Sequence, residues 1–256
     1  LVTVYLAILM LTILSNRSIA MKNMTVGSPS RLIFFFTIPL ILGNILQQMY
    51  SFIDTLIVGR ALGVNALAAV GSTGSLMFLL IGIVMGLTNG FAIIAGHHYG
   101  AGDIDKVRRS VATGLMLSLI FSVLLTIGSI LLSHPLLEWM QTPIEILDDA
   151  SIFLNIICAG TSAFLLLNLL SNLSRAFGNS RTPLYFLLLS TVLNVVLELI
   201  FLLIFGWGIA GAALATVLAI FSTALIYLVY FLRCDTLFRF KKQDWFSPPS
   251  FWLSHL

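Results

Sequence analysis

Apolar residues run through this chain in six long stretches separated by short polar segments: roughly Leu32–Val58, Ala66–Ala95, Ser110–Leu132, Ser151–Leu170, Pro183–Phe205 and Ile209–Leu232. A helix crossing the hydrocarbon core of a bilayer needs about 20 apolar residues, because each residue rises about 1.5 Å through a core about 30 Å thick. All six stretches meet that length. None alternates apolar and polar positions in the ten-residue units of a membrane barrel, so the pattern predicts six spanning helices. A further apolar stretch, Leu1–Leu14, is short for a span, has no basic residues before it and no A-x-A cleavage site after it. Residues 1–20 therefore read as an amino-terminal extension, upstream of the more ordinary opening MKNMTVGSPSRL at Met21.

Composition agrees with the pattern: 59% of the 256 residues are hydrophobic and 9% are charged, where a soluble domain carries about 25% charged residues. The charges are not scattered. Arg17, Lys22 and Arg31 precede span one, Lys106, Arg108 and Arg109 lie between two and three, and Arg175 and Arg181 lie between four and five. Arg233, Arg239, Lys241 and Lys242 follow six, which leaves Arg60 as the one basic residue on the opposite side. The segment between spans three and four holds Glu138, Glu145, Asp148 and Asp149 instead. The excess of basic residues marks the cytoplasmic face, so both termini are expected there, in a multi-pass protein of the plasma membrane (the inner membrane of a bacterium). A net charge of +3 with mixed signs gives no reason to expect a nucleic-acid partner. Cys158 and Cys234 are too few to staple a fold and read as free thiols.

Two acids fall inside spans, Asp54 in the first and Glu198 in the fifth. A charged side chain at a helix centre costs about 2.5–3.5 kcal/mol on insertion scales, so such residues face a wet cavity or a partner. A protonated acid hydrogen-bonded between helices is the alternative. Asp54 follows Pro39, and Glu198 follows Pro183, by the same 15 residues, in spans that run in the same direction. That places both acids in the outer half of the bilayer, where they can share a cavity. Asn194 is four residues before Glu198 and on the same helical face. A carboxamide oxygen beside a carboxylate offers hard ligands to a small cation, and a carboxylate in a low-dielectric setting is neutralised equally well by a proton. Sodium and proton remain alternatives on this chemistry.

Other polar groups are less specific. Pro39, in FFFTIPLILGN, should kink span one, either passively or as a hinge. Asn44, Gln47 and Gln48 make the middle of span one polar, and Asn168 and Asn172 do the same near the end of span four. These are candidates for a solute pathway or for interhelical hydrogen bonds. Gly82, Gly86 and Gly90 form a stripe in span two that reads as close helix packing. His97 and His98 are adjacent, so they do not face one metal on a helix, and they read as solvated loop residues. No P-loop, zinc-protease spacing or nucleophile elbow is present, which leaves an ATP-driven pump or a membrane hydrolase without support. An aspartyl hydrolase using Asp54 and Glu198 as a dyad rests on the two acids alone.

From about Met21 to Lys242 the chain resembles the multidrug and toxic compound extrusion (MATE) family of cation-coupled efflux transporters. The segments that carry the resemblance are IPLILGNILQQMYSFIDTLIVGRALGVNALAAVG (38–71), HHYGAGD (97–103), SRAFGNSRTP (174–183), LNVVLELIF (193–201) and GWGIAGAALATVLA (206–219), in that order. The resemblance implies an all-α membrane protein of two six-helix lobes around a cavity, with export of organic, often cationic, compounds driven by sodium or proton entry. It implies no cofactor and no enzymatic activity. By motif it maps a cation or proton site onto Asp54, Asn194, Glu198 and Thr216, and a helix hinge onto Pro39. Gln47, Gln48, Asn168 and Asn172 are then candidates for the substrate cavity. Family members commonly have Asp-Pro where this chain has Glu198-Leu199, which leaves the ion preference open.

The family usually has about twelve spans, and here six are expected, over residues 21–240, followed by a cytoplasmic linker at 241–256. The chain is thus expected to be one lobe, by truncation or as a half-transporter that pairs with a second lobe or another half. A related lipid-linked saccharide flippase and an inactive fragment are the competing functional readings.

Overall fold

The structure, a computed structural model, describes residues 28–234. The expected extension over 1–20, the linker at 241–256, and Arg17, Lys22, Arg239, Lys241 and Lys242 lie outside the described residues.

Eight α-helices follow one another: α1 (Pro29–Leu62), α2 (Val64–Ser72), α3 (Gly74–Gly100), α4 (Ile104–Trp139), α5 (Ile144–Ala159), α6 (Thr161–Ala176), α7 (Arg181–Leu199) and α8 (Gly208–Cys234). A π-helical turn, Ile200–Ile204, extends α7. Five of these units are long and apolar enough to span a membrane, and α5 and α6 together make a sixth span bent by 50°. The six expected spans are therefore present, with two differences. The second begins with the separate short helix α2 before α3, because Thr73 and Gly74 interrupt the run. The fourth is broken at Gly160, where the Cys158 carbonyl accepts the Thr161 hydroxyl at 2.7 Å and the Thr126 hydroxyl at 3.3 Å. Hydroxyls of this kind supply hydrogen bonds that a bent helix loses, which lets a membrane span break without a proline.

Polar turn chemistry ends the helices. Gly178 takes φ +82° after α6, and Asn179 then caps α7, its Oδ1 accepting the amides of Arg181 at 3.2 Å and Thr182 at 3.1 Å. Asp103 caps α4 by accepting the Lys106 amide at 3.1 Å, and hydrogen bonds from the Lys106 ammonium and amide hold its carboxyl below the usual carboxylate range. His97 and His98 belong to the last turn of α3, which continues three residues past the expected loop start to Gly100.

Two apolar clusters fill the bundle. One, near the end that carries the basic residues, gathers Phe91, Leu169, Leu173, Phe177, Phe186 and Tyr227. The other, near the acidic end, gathers Val58, Ala69, Leu137, Phe153, Leu202 and Ala213. Helix α1 packs mainly on α7 and stays at the periphery, with most of its apolar side chains exposed. Apolar side chains such as Phe52, Phe78 and Leu131 stand exposed around the bundle, as they do where lipid is the solvent. The glycine stripe differs from expectation: a methyl group on Gly82, Gly86 or Gly90 would meet nothing within 4 Å. Within the described residues these glycines pack against no neighbouring helix; they line an open face of α3.

Candidate functional site

Between the two clusters lies a layer of polar side chains. Helix α7 delivers Asn194, just after the core residue Leu193, and Glu198, one turn later and four residues before the core residue Leu202. Helix α8 delivers Thr216, between Ala213 of one cluster and Ala219 of the other. The register of the two apolar faces thus fixes where the polar groups fall. Asn194 is 1% and Glu198 0% exposed, while Asp54 of α1 is half-buried.

The hydrogen bonds are directional. Thr216 Oγ1 donates to the Ala212 carbonyl at 3.2 Å, so its only proton is committed. It can then only accept from Asn194, whose Nδ2 lies 3.0 Å away. That fixes the amide orientation and leaves Asn194 Oδ1 free, on the far side from Thr216. Asn194 Oδ1 and both Glu198 oxygens are buried with no hydrogen-bond partner at full geometry. The Asp54 carboxyl is the neighbour of Glu198, close enough for the two to interact directly. Among the described residues no lysine or arginine pairs with either acid by the usual salt-bridge distance. Two facing carboxyls, one of them fully buried and neither paired with a base, are costly unless a cation or a proton neutralises them.

The structure therefore brings Asp54, Asn194, Glu198 and Thr216 together. It adds Tyr50, which the sequence reading passed over: its side chain reaches Thr216 and shares the layer with both acids. The signal was its position four residues before Asp54, hence on the same face of α1. Immediately beyond Glu198 the backbone widens into the π turn, closed by the Phe205 amide on the Ile200 carbonyl at 3.1 Å. Such single turns recur beside functional groups; here it turns Phe201 and Leu202 inward under the acid.

The remaining candidates sit elsewhere. Pro39 is buried within an unbroken α1, near the point where Gly43 lets Leu184 of α7 come close. Gln47 and Gln48 lie exposed on α1. Asn168 is half-buried and donates to the Phe164 carbonyl of its own helix at 2.9 Å. Asn172 is buried, with its amide on Thr88 Oγ1 at 3.0 Å and its carbonyl facing Arg175 at 3.5 Å, so it ties α6 to α3. No group of three His, Cys, Asp or Glu residues that could hold a metal ion occurs among the described residues.

Comparison with known proteins adds the following. The sequence profile of the MatE family matches residues 39–200. The chain is 33% identical over 211 residues to the probable multidrug resistance protein YoeA of Bacillus subtilis, covering 81% of this chain and 46% of that protein. It superposes with a TM-score of 0.82 and 26% identity on a MOP superfamily transporter from Pyrococcus furiosus, described as having a binding pocket of reverse polarity that suggests a different function. That match covers 90% of this chain and 51% of the other. An outward-facing multidrug resistance MATE transporter matches with a TM-score of 0.82 at 27% identity, again over 90% of this chain and 51% of its own. The chain thus spans about half the length of the relatives it matches.

Proposed function

Because the chain belongs to the MatE family of transporters, we propose that it forms one lobe of a cation-coupled exporter of organic, often cationic, compounds. Asp54, Asn194, Glu198 and Thr216 bind the coupling ion, sodium or a proton, with Tyr50 at the edge of the site. The observation that carries this reading is the buried Glu198 carboxyl facing Asp54, with no lysine or arginine paired to either among the described residues and Asn194 Oδ1 unpartnered. A neutralising ion has a large differential affinity for a state in which these oxygens converge, and that is what coupling requires. Ion entry draws α1 and α7 together around Asp54 and Glu198; the change in α1, with Pro39 as its hinge, lowers affinity for the solute, which then leaves on the side the ion came from. Linkage makes the effect reciprocal, so bound solute must weaken ion binding.

A second lobe, or another half, supplies the opposite cavity wall. The exposed Gln47 and Gln48 of α1 are suited to line that cavity; Asn168 and Asn172 would reach it only by giving up the bonds they make within the lobe. The basic end of the bundle is cytoplasmic.

The test is dye efflux from proteoliposomes holding the full chain together with the carboxy-terminal half of YoeA, under an imposed sodium or proton gradient. Gradient-driven efflux is expected, and Asp54→Asn and Glu198→Gln should each abolish it while membrane levels stay constant. Unchanged efflux in both variants would overturn the assigned roles.

A further inference from the structure

The broken span and the ion site meet at one contact. Gly160 sits at the bend between α5 and α6, facing α8. A methyl group built there would stand 2.6 Å from one Cγ of Val217 and 2.9 Å from the other. Valine is stiff about χ1 in a helix, and both of its branches are blocked, so no rotamer clears the position. The absent side chain of Gly160 is therefore what admits Val217. Val217 directly follows Thr216, the residue whose hydroxyl takes the Asn194 amide at 3.0 Å. The same contact borders an apolar cleft, where Gly160, Thr216 and Val217 face Met77 and Val84 of α3. Packing from α3 is thus incomplete there, so among the contacts that α8 makes with α5, α6 and α7, the seat at Gly160 is the one that holds Val217 closely. The bend itself is held, by the hydroxyls of Thr161 and Thr126 on the Cys158 carbonyl.

We propose that Gly160 is a positioning residue for the ion site: the notch at the break of the fourth span seats Val217 and thereby sets Thr216 Oγ1 against Asn194. The inference rests on the ion-site reading given above. It makes the bent span, which contributes no residue to the proposed ion site, a determinant of ion affinity. Any rearrangement that straightens the bend would lift Val217 from its seat and loosen the site.

The measurement is the rise in melting temperature of the detergent-purified full chain with sodium at fixed pH, and with pH at fixed ionic strength, since an ion that binds only the folded state stabilises it. Gly160→Ala should weaken the ion midpoint by about five- to tenfold, the scale of losing one hydrogen bond at the site. Gly160→Ala with Val217→Ala, which removes both blocked branches, should restore the midpoint to within about twofold. Gly96→Ala is the control: its methyl would meet Ala176 at 3.2 Å, away from the site, and should lower stability without moving the midpoint. Should Gly160→Ala fold poorly, Val217→Leu, which overfills the same notch, gives the readout. An unchanged midpoint in both Gly160→Ala and Val217→Leu, or no recovery in the double variant, overturns the inference. Asp54→Asn separates the two readings. If it keeps the ion response, the site assignment itself fails; if it loses the response while Gly160→Ala does not move it, only the positioning role fails.

Discussion

Glu198 is the residue on which the proposed ion chemistry turns. Its four-residue spacing from Asn194 was legible in the sequence, because i and i+4 share a helical face, and burial of both side chains agrees. Asp54 could be joined to them by depth, from its matched spacing after a proline in a span of the same direction, but Thr216 only through the family motifs, since nothing in a single sequence says which helices are neighbours. Tyr50 was missed for a physical reason: an aromatic residue in an apolar run is ordinary, and its hydroxyl gains meaning only when Thr216 is known to lie opposite. The longer acid at position 198 makes a specific prediction. Glu198→Asp keeps the charge but withdraws the carboxylate by one methylene from its position beside Asp54. Its ion midpoint should move by roughly five- to tenfold, about the worth of one repositioned ligand oxygen, whereas Glu198→Gln should lose ion dependence altogether. Titration of thermal stability in the two variants checks this; identical behaviour of Asp and Gln at this position would mean that the charge there does not bind the ion.

At the scale of elements, the spans were the most readable feature, since lipid demands long apolar helices and tolerates few alternatives. Their internal breaks were not readable. Gly160 lies in a largely apolar stretch with no proline, and its bend depends on hydroxyls from Thr161 and from Thr126 on another helix. The π turn at Ile200–Ile204 likewise has no proline or glycine to announce it. The segments that carry the family resemblance are informative in a different way. HHYGAGD and SRAFGNSRTP are stop-and-start signals: Gly102 and Gly178 adopt positive φ, and Asp103 and Asn179 cap the next helix. Much of the resemblance is therefore turn chemistry that sets helix order, separate from the ion chemistry proposed for α7 and α8. Asn179→Ala accordingly should cost about 1 kcal/mol of stability, the usual worth of an N-cap. It should leave the ion midpoint unchanged, because Asn179 sits a full helix length from Glu198. A thermal-shift titration reads both quantities at once, and a displaced midpoint would show that the cap feeds into the site.

For the whole molecule, the polar groups divide by layer. Basic residues gather at the end holding the α3–α4 and α6–α7 turns, where Asp103 and Asp105 pair with Lys106 and Arg108; Glu138, Glu145, Asp148 and Asp149 stand at the end holding the α4–α5 turn, and uncharged or buried polar groups lie between. The bundle also keeps one face unfilled, where Gly82, Gly86 and Gly90 of α3 meet nothing. The sequence showed the glycines but not the vacancy, because small residues serve a close contact and an open wall equally well. The layering of charge, by contrast, predicts an orientation that does not depend on what fills that face. Loop lysines and arginines near span ends are held on the cytoplasmic side during insertion, while Asp and Glu contribute little. In a background with Cys158 and Cys234 replaced by alanine, Glu145→Cys at the start of α5 should react with a membrane-impermeant maleimide in intact cells. Lys106→Cys at the start of α4 should stay unlabelled until the cells are opened. The reverse pattern would invert the orientation, and with it the side proposed for ion entry to Asp54 and Glu198.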